Sequence, residues 1–134
     1  MFSAKVAWQK ELKFSGQADS RHSITVDGDG KGGNSPMELI LIALCGCTAA
    51  DVAIILQKKR EPMTGLEVTA RAEKAPEPPR VYNEIRLTYR VKGKVTRKAI
   101  EDAVRLSEGK YCSVSAMLQH TAKITYNIVL DTDD

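Results

Sequence analysis

The sequence predicts an α+β domain in the order βββαββααβ, arranged around one long buried helix. Three observations carry this reading. Segments toward both ends alternate polar and apolar residues with a period of two. Residues 39–56 form an almost unbroken apolar run behind a helix-start signal. Residues 96–108 place apolar side chains along one helical face. A chain of 134 residues, 43% hydrophobic and 28% charged, is long enough for one real core and is read as a single domain over residues 1–134.

The elements follow in order. Ala4 to Trp8, Glu11 to Phe14 and His22 to Val26 alternate as three short strands, with Gly16 and Asp19 between the last two. Asp27 to Asn34 has four glycines in eight residues and reads as a mobile loop with no anchor to the core. Its glycine spacing matches neither a dinucleotide fingerprint nor a P-loop. Ser35-Pro36-Met37-Glu38 then combines an N-cap serine, a first-turn proline and a glutamate placed to close a capping box. The helix it opens runs to about Lys58, because Pro62 and Thr64-Gly65 forbid continuation. Apolar residues surround this helix on every side, so it must be covered all round, in part by a second subunit. Leu66 to Ala72 and Val81 to Val91 are two more strands, joined by a connection stiffened by Pro76, Pro78 and Pro79. Thr96 to Glu108 is an amphipathic helix ended by Gly109. A short helix from about Ser113 to His120 and a strand from Lys123 to Leu130 complete the order.

Composition narrows the function. The net charge of +3 comes from 20 basic and 17 acidic residues scattered along the chain, and only two Phe, one Trp and four Tyr are present. No basic patch or stacking platform for nucleic acid is expected. Met1 to Val6 lacks the pattern of a signal peptide, so the expected compartment is the cytoplasm. The apolar run from Leu39 to Leu56 approaches spanning length, yet it contains Asp51 and lies between strand-like segments. A helix inside protein is expected, with no membrane partner.

The chemistry rests on the three cysteines. Cys45 and Cys47 are two residues apart on a helix and point to different sides, and there are only two histidines, so no metal site is expected. Cys45 reads as packing. Cys47 shares a stripe with Ile40, Leu44, Asp51 and Ile54, which sets a carboxylate one turn from a thiol. Asp51 alone opposes ionisation of Cys47, so a reactive Cys47 needs a cation beside it. The plainer alternative is an inert Cys47 with Asp51 paired elsewhere. Cys112 lies where one helix has ended and another begins, a place where free N–H groups lower a thiol pKa. By local electrostatics it rivals Cys47, unless it is only a half-buried residue of the short helix.

Asn34-Ser35-Pro36-Met37-Glu38-Leu39, the apolar run to Cys47-Thr48-Ala49, and Tyr111-Cys112-Ser113-Val114 together resemble the OsmC/Ohr family of osmotically induced and organic-hydroperoxide-resistance proteins. The order of elements agrees over nearly the whole chain. The family's spacing of eleven residues between the helix-opening proline and a cysteine is that from Pro36 to Cys47, and its second cysteine, opening a later short helix, matches Cys112. The resemblance implies an OsmC-like fold and an intertwined homodimer whose long helices are enclosed by both subunits. It also implies a reaction without cofactor or metal. Cys47 attacks an organic hydroperoxide, becomes a sulfenic acid and condenses with Cys112 to a disulfide that a dithiol reductant reopens. Two positions depart from the family. Met37 stands where its peroxidases have a glutamate that holds an arginine beside the thiol, and the arginine itself has only Arg21, before the third strand, as a candidate by location. Asp51 is therefore expected to take over the task of holding a cation such as Arg21. The rival functions are a dimer that binds a small apolar ligand without turnover, and a redox sensor.

Overall fold

The computed structural model describes residues 1–131. They divide into two compact units, residues 1–42 and the chain from residue 43 onward. The long helix α1, Pro36–Lys58, begins in the first and ends in the second.

The first unit is a three-stranded antiparallel sheet of β1 (Ala4–Lys10), β2 (Lys13–Ala18) and β3 (Ser23–Asp27), with β2 in the middle. Its register sets Trp8 opposite Phe14 and Phe14 opposite Val26. The strand expected from Glu11 starts later, because Glu11 takes a left-handed conformation at φ 48° and its carbonyl accepts the Trp8 indole N–H at 2.8 Å. Every residue of β1 is exposed, Trp8 by 67%. The expected capping box is present. Ser35 N–H donates to Glu38 Oε1 at 2.9 Å and Glu38 N–H donates to Ser35 Oγ at 3.2 Å, which joins two otherwise orphaned donors reciprocally.

The glycine-rich loop differs from expectation. Asp27 is buried, and its carboxylate accepts Asp29 N–H and Gly32 N–H, both at 2.9 Å, while its own N–H reaches Asn34 O at 3.0 Å. The loop thus has an anchor, and its glycines serve the tight geometry around it; Gly30 sits at φ 70°. These donors hold the Asp27 carboxyl below the usual carboxylate range. A depressed carboxylate contributes stability that is present above its unfolded pKa and lost as pH falls through its folded one. Asp29 and Gly32 should therefore be protected from hydrogen exchange, relative to their intrinsic rates, near neutrality, and should lose that protection in Asp27→Ala, and in the parent chain only once the pH falls below the ordinary carboxylate range.

The second unit is built on a sheet of β4 (Met63–Lys74), β5 (Tyr82–Gly93) and β6 (Lys123–Asp131), with β5 central. β4 and β5 pair antiparallel, Val68 opposite Tyr89. β6 runs parallel to β5, Ile128 opposite Tyr89. That direction requires a crossover, which is formed by α2 (Arg97–Leu106), a π-helical turn (Ser107–Tyr111) and α3 (Ser113–Leu118). The amphipathic helix is therefore shorter than expected, and its last residues belong to the π turn. Ile85, Leu87, Tyr89 and Val91 alternate along β5 and are fully buried, as are Ile100, Ala103 and Val104 of α2. Thr96 caps α2, its hydroxyl accepting Ala99 N–H at 3.2 Å.

Within one chain only one side of α1 is covered, and the rest is the share expected of a second subunit. Leu44, Thr48, Val52 and Leu56, spaced by four, are inaccessible, whereas Ile42 and Ile54 are about half exposed. By length and composition α1 would also pass for a membrane-crossing helix.

Candidate functional site

The two thiols singled out by sequence meet in the second unit. Cys47, half-buried on α1, lies near enough to Cys112 for the two thiols to influence each other's ionisation. Cys112 is 3% exposed and is the N-cap of α3, with its Sγ accepting Ser115 N–H at 3.3 Å. The helix start was expected to favour a thiolate here, and the N–H does act that way. Burial outweighs it. Together with the Cys47 thiol and the Glu108 carboxyl, burial pushes the Cys112 thiol well above its ordinary value, so Cys112 keeps its proton. Cys45 is half-buried on another side of α1, and burial alone pushes its thiol up, in keeping with a packing role.

A chain of buried hydroxyls lies beside the thiols. Thr48, one residue after Cys47, places Oγ1 2.7 Å from Tyr89 OH on β5 and 2.7 Å from Ser107 Oγ at the start of the π turn. Ser107 donates to Asp51 Oδ2 at 2.9 Å, and Tyr89 reaches Glu108 Oε2 at 3.3 Å. Ser115 donates its hydroxyl to Glu108 Oε1 at 3.2 Å while its N–H serves Cys112. The π turn matters for this arrangement, since it aims the neighbouring side chains of Ser107 and Glu108 at Asp51 and Ser115 on different elements. Glu108 is partly buried, which raises its carboxyl above the ordinary value, with the nearby Asp51 charge adding to the effect. Burial likewise raises the Tyr89 phenol.

Asp51 is hydrogen-bonded within its own unit. It accepts from Ser107 and borders an open groove of about 540 Å³ with Ile54, Ile55 and Leu106 as apolar wall and Lys58 and Lys59 beside them. Arg21 belongs to the first unit. It is an exposed turn residue at φ 67°, its N–H bonded to Ala18 O at 2.9 Å and its carbonyl accepting Gln17 Nε2 at 2.9 Å. Among the described residues no group of three or more His, Cys, Asp or Glu is arranged to hold a metal ion.

Sequence reasoning missed Thr48, Tyr89, Ser107, Glu108 and Ser115 as a set. Ser107 follows Ala99, Ile100, Ala103 and Val104 along one helical face, and a hydroxyl on such a face calls for a buried partner. Nothing in the spacing named that partner. Tyr89→Phe removes one bond from Thr48 and one from Glu108, and should lower unfolding stability in urea by about 1–3 kcal/mol.

Comparison with known proteins bears on the family and the fold. A family model described as OsmC-like protein matches residues 28–127. Protein YhfA of Escherichia coli (strain K12) is 41% identical over 126 residues, which cover 92% of this chain and 94% of that protein. A hypothetical protein from Aquifex aeolicus VF5 superposes with a TM-score of 0.86 at 32% identity, covering 98% of each chain. The organic hydroperoxide resistance protein OhrB of Bacillus subtilis superposes with a TM-score of 0.68 at 12% identity, covering 95% of this chain and 98% of that one, a likeness of fold alone.

Proposed function

We propose that this chain, which belongs to the family of OsmC-like proteins, reduces organic hydroperoxides through its Cys47/Cys112 pair. The observation that carries the reading is the nearness of the two thiols, one half-buried and the other enclosed and holding its proton. Cys47, as thiolate, attacks the terminal oxygen of the peroxide. The O–O bond breaks, Cys47 becomes a sulfenic acid, and the alkoxide leaves as the alcohol after taking up a proton. Cys112 then attacks the Cys47 sulfur, the S–S bond forms, and hydroxide leaves as water with the thiol proton. A dithiol reductant restores both thiols by exchange and is itself oxidised to a disulfide. In this reading Arg21 is the cation assigned to the Cys47 thiolate, with Asp51 as its holder, and no metal or cofactor takes part.

The same reading makes the protein a cytoplasmic homodimer without nucleic-acid or membrane partners. Its support is the apolar surface left open in a single chain, namely the Ile54 side of α1 and the exposed strand β1 with Trp8. The groove beside Asp51 favours a second reading, in which the dimer holds a small apolar ligand without turnover or acts as a redox sensor. Treating the reduced protein with a slight excess of cumene hydroperoxide separates these readings. A disulfide between the Cys47 and Cys112 peptides, found by mass spectrometry and reopened by a dithiol, supports the peroxidase. Slow and indistinguishable loss of all three thiols overturns it.

A further inference from the structure

The hydroxyl chain contains more contacts than its hydroxyls have protons. Four oxygen–oxygen contacts run in series: Asp51 to Ser107 at 2.9 Å, Ser107 to Thr48 at 2.7 Å, Thr48 to Tyr89 at 2.7 Å, and Tyr89 to Glu108 at 3.3 Å. Each needs one proton to be a hydrogen bond. Ser107, Thr48 and Tyr89 supply one apiece, and the Ser115 hydroxyl proton is already engaged with Glu108 Oε1. If both carboxyls were ionised, one of the two contacts at Thr48 would set bare lone pairs 2.7 Å apart in the interior, a costly arrangement. The fourth proton must therefore sit on a carboxyl at one end of the series.

We propose that Thr48, Tyr89 and Ser107 form a proton wire on which Asp51, at the open groove, and Glu108, beside Cys112, share one proton. With the proton on Glu108, each group donates toward Asp51. With the proton on Asp51, every hydroxyl turns and donates toward Glu108. Burial and the facing Asp51 charge raise the Glu108 carboxyl against the lowering effect of hydrogen bonds from Ser115, Thr48 and Tyr89, so of the two ends Glu108 is assigned the proton at rest.

The wire has a use if the proposed thiol chemistry holds, and this part rests on that reading. Ser115 touches both groups, with its N–H on Cys112 Sγ and its hydroxyl on Glu108, so the charge of Glu108 stands against ionisation of Cys112. Other titratable groups at this cluster are Cys47 and Asp51 on α1 and Tyr89 on β5, and Lys58, Lys59 and Tyr111 line the groove at its Asp51 end. Holding the proton on Glu108 removes that opposing charge while Cys112 attacks the Cys47 sulfenic acid. The proton is exchanged with the groove and returned, so disulfide and water remain the only products. Glu108 is then a positioning residue for Cys112.

Infrared spectroscopy of the reduced protein tests the shared proton without any peroxide. A protonated-carboxyl band should persist at pH values where ordinary carboxylates are ionised, and Glu108→Gln should abolish it. Thr48→Val cuts the wire and leaves Ser107 donating to Asp51 and Tyr89 donating to Glu108, each contact with its own proton. The band should then titrate away at least about one pH unit lower, although a more apolar neighbour would by burial alone move it higher. Thr48→Ser should keep the parent titration. Ser107→Ala cuts the wire elsewhere and should reproduce the shift if Thr48→Val does not fold. An absent band in the parent, or an unchanged or raised titration in the cut variants, overturns the wire. Alkylation of Cys112, followed by peptide mass against pH, should show its midpoint about one unit lower in Glu108→Gln; an unmoved midpoint overturns the positioning role. Thiols inert to peroxide alongside the expected infrared shifts would overturn the peroxidase reading and leave the wire standing.

Discussion

Cys47→Ser is expected to lower the rate of cumene hydroperoxide consumption by about three orders of magnitude or more, because a serine hydroxyl is a far weaker nucleophile than a thiolate. Cys112→Ser should behave differently. The first oxidation should proceed near the parent rate and stop at the Cys47 sulfenic acid, which a dimedone adduct would mark at the Cys47 peptide. Excess peroxide should then carry Cys47 on to the sulfinic acid, because no second thiol is left to condense with it. The measurements are peroxide loss by ferrous–xylenol absorbance and adduct mass by peptide. The reverse pattern, with oxidation surviving in Cys47→Ser and lost in Cys112→Ser, would exchange the two roles.

Accessibility and charge favour the assignment as stated. A peroxide must reach the attacking sulfur, and Cys112 is 3% exposed while Cys47 is half-buried. Burial and the nearby carboxyl of Glu108 keep Cys112 protonated, a state suited to a thiol that acts second. Met37 gives no carboxylate at the position where the family's peroxidases have glutamate. The carboxyls that the fold does bring to the thiol region are Asp51 and Glu108, joined through three buried hydroxyls.

The parts of the fold fixed by local rules were legible in the sequence. Ser35 and Glu38 announced the start of α1 because a capping box is a contact between residues three apart. Alternation along Val81 to Val91 announced β5 because one face of that strand is buried. Local rules gave no access to what depends on distant partners. Asp27 is an exception, since its donors Asp29 and Gly32 lie only two and five residues on, and its turn was a local signal hidden among the glycines. The pairing of Cys47 with Cys112 came from resemblance and not from spacing, and the closeness of Thr48, Tyr89 and Ser107 depends on three elements meeting. The electrostatics of Cys112 were misjudged for the same reason. A helix start is visible in sequence, whereas the depth at which it is buried is not.

Leu87→Ala is expected to lower unfolding stability by about 2–5 kcal/mol, the range for truncating a fully buried leucine that leaves a cavity. Leu87 lies on the central strand of its sheet, between strands on both sides, so its neighbours have little freedom to collapse into the space. Its sequence neighbour gives the control. Thr88 points to the other face, where its hydroxyl donates to Asn127 Oδ1 at 2.8 Å in an exposed bond, and Thr88→Ala should cost no more than about 1 kcal/mol. Urea titrations at one fixed protein concentration should show the Leu87→Ala midpoint falling sharply with an unchanged slope, and the Thr88→Ala midpoint nearly unmoved. If the protein is the proposed homodimer, both midpoints rise with protein concentration, because association stabilises the folded chain by mass action. Equal effects from the two substitutions would mean that β5 does not bury its Leu87 face as described, and with it the placement of Tyr89, two residues along the same face, would fall.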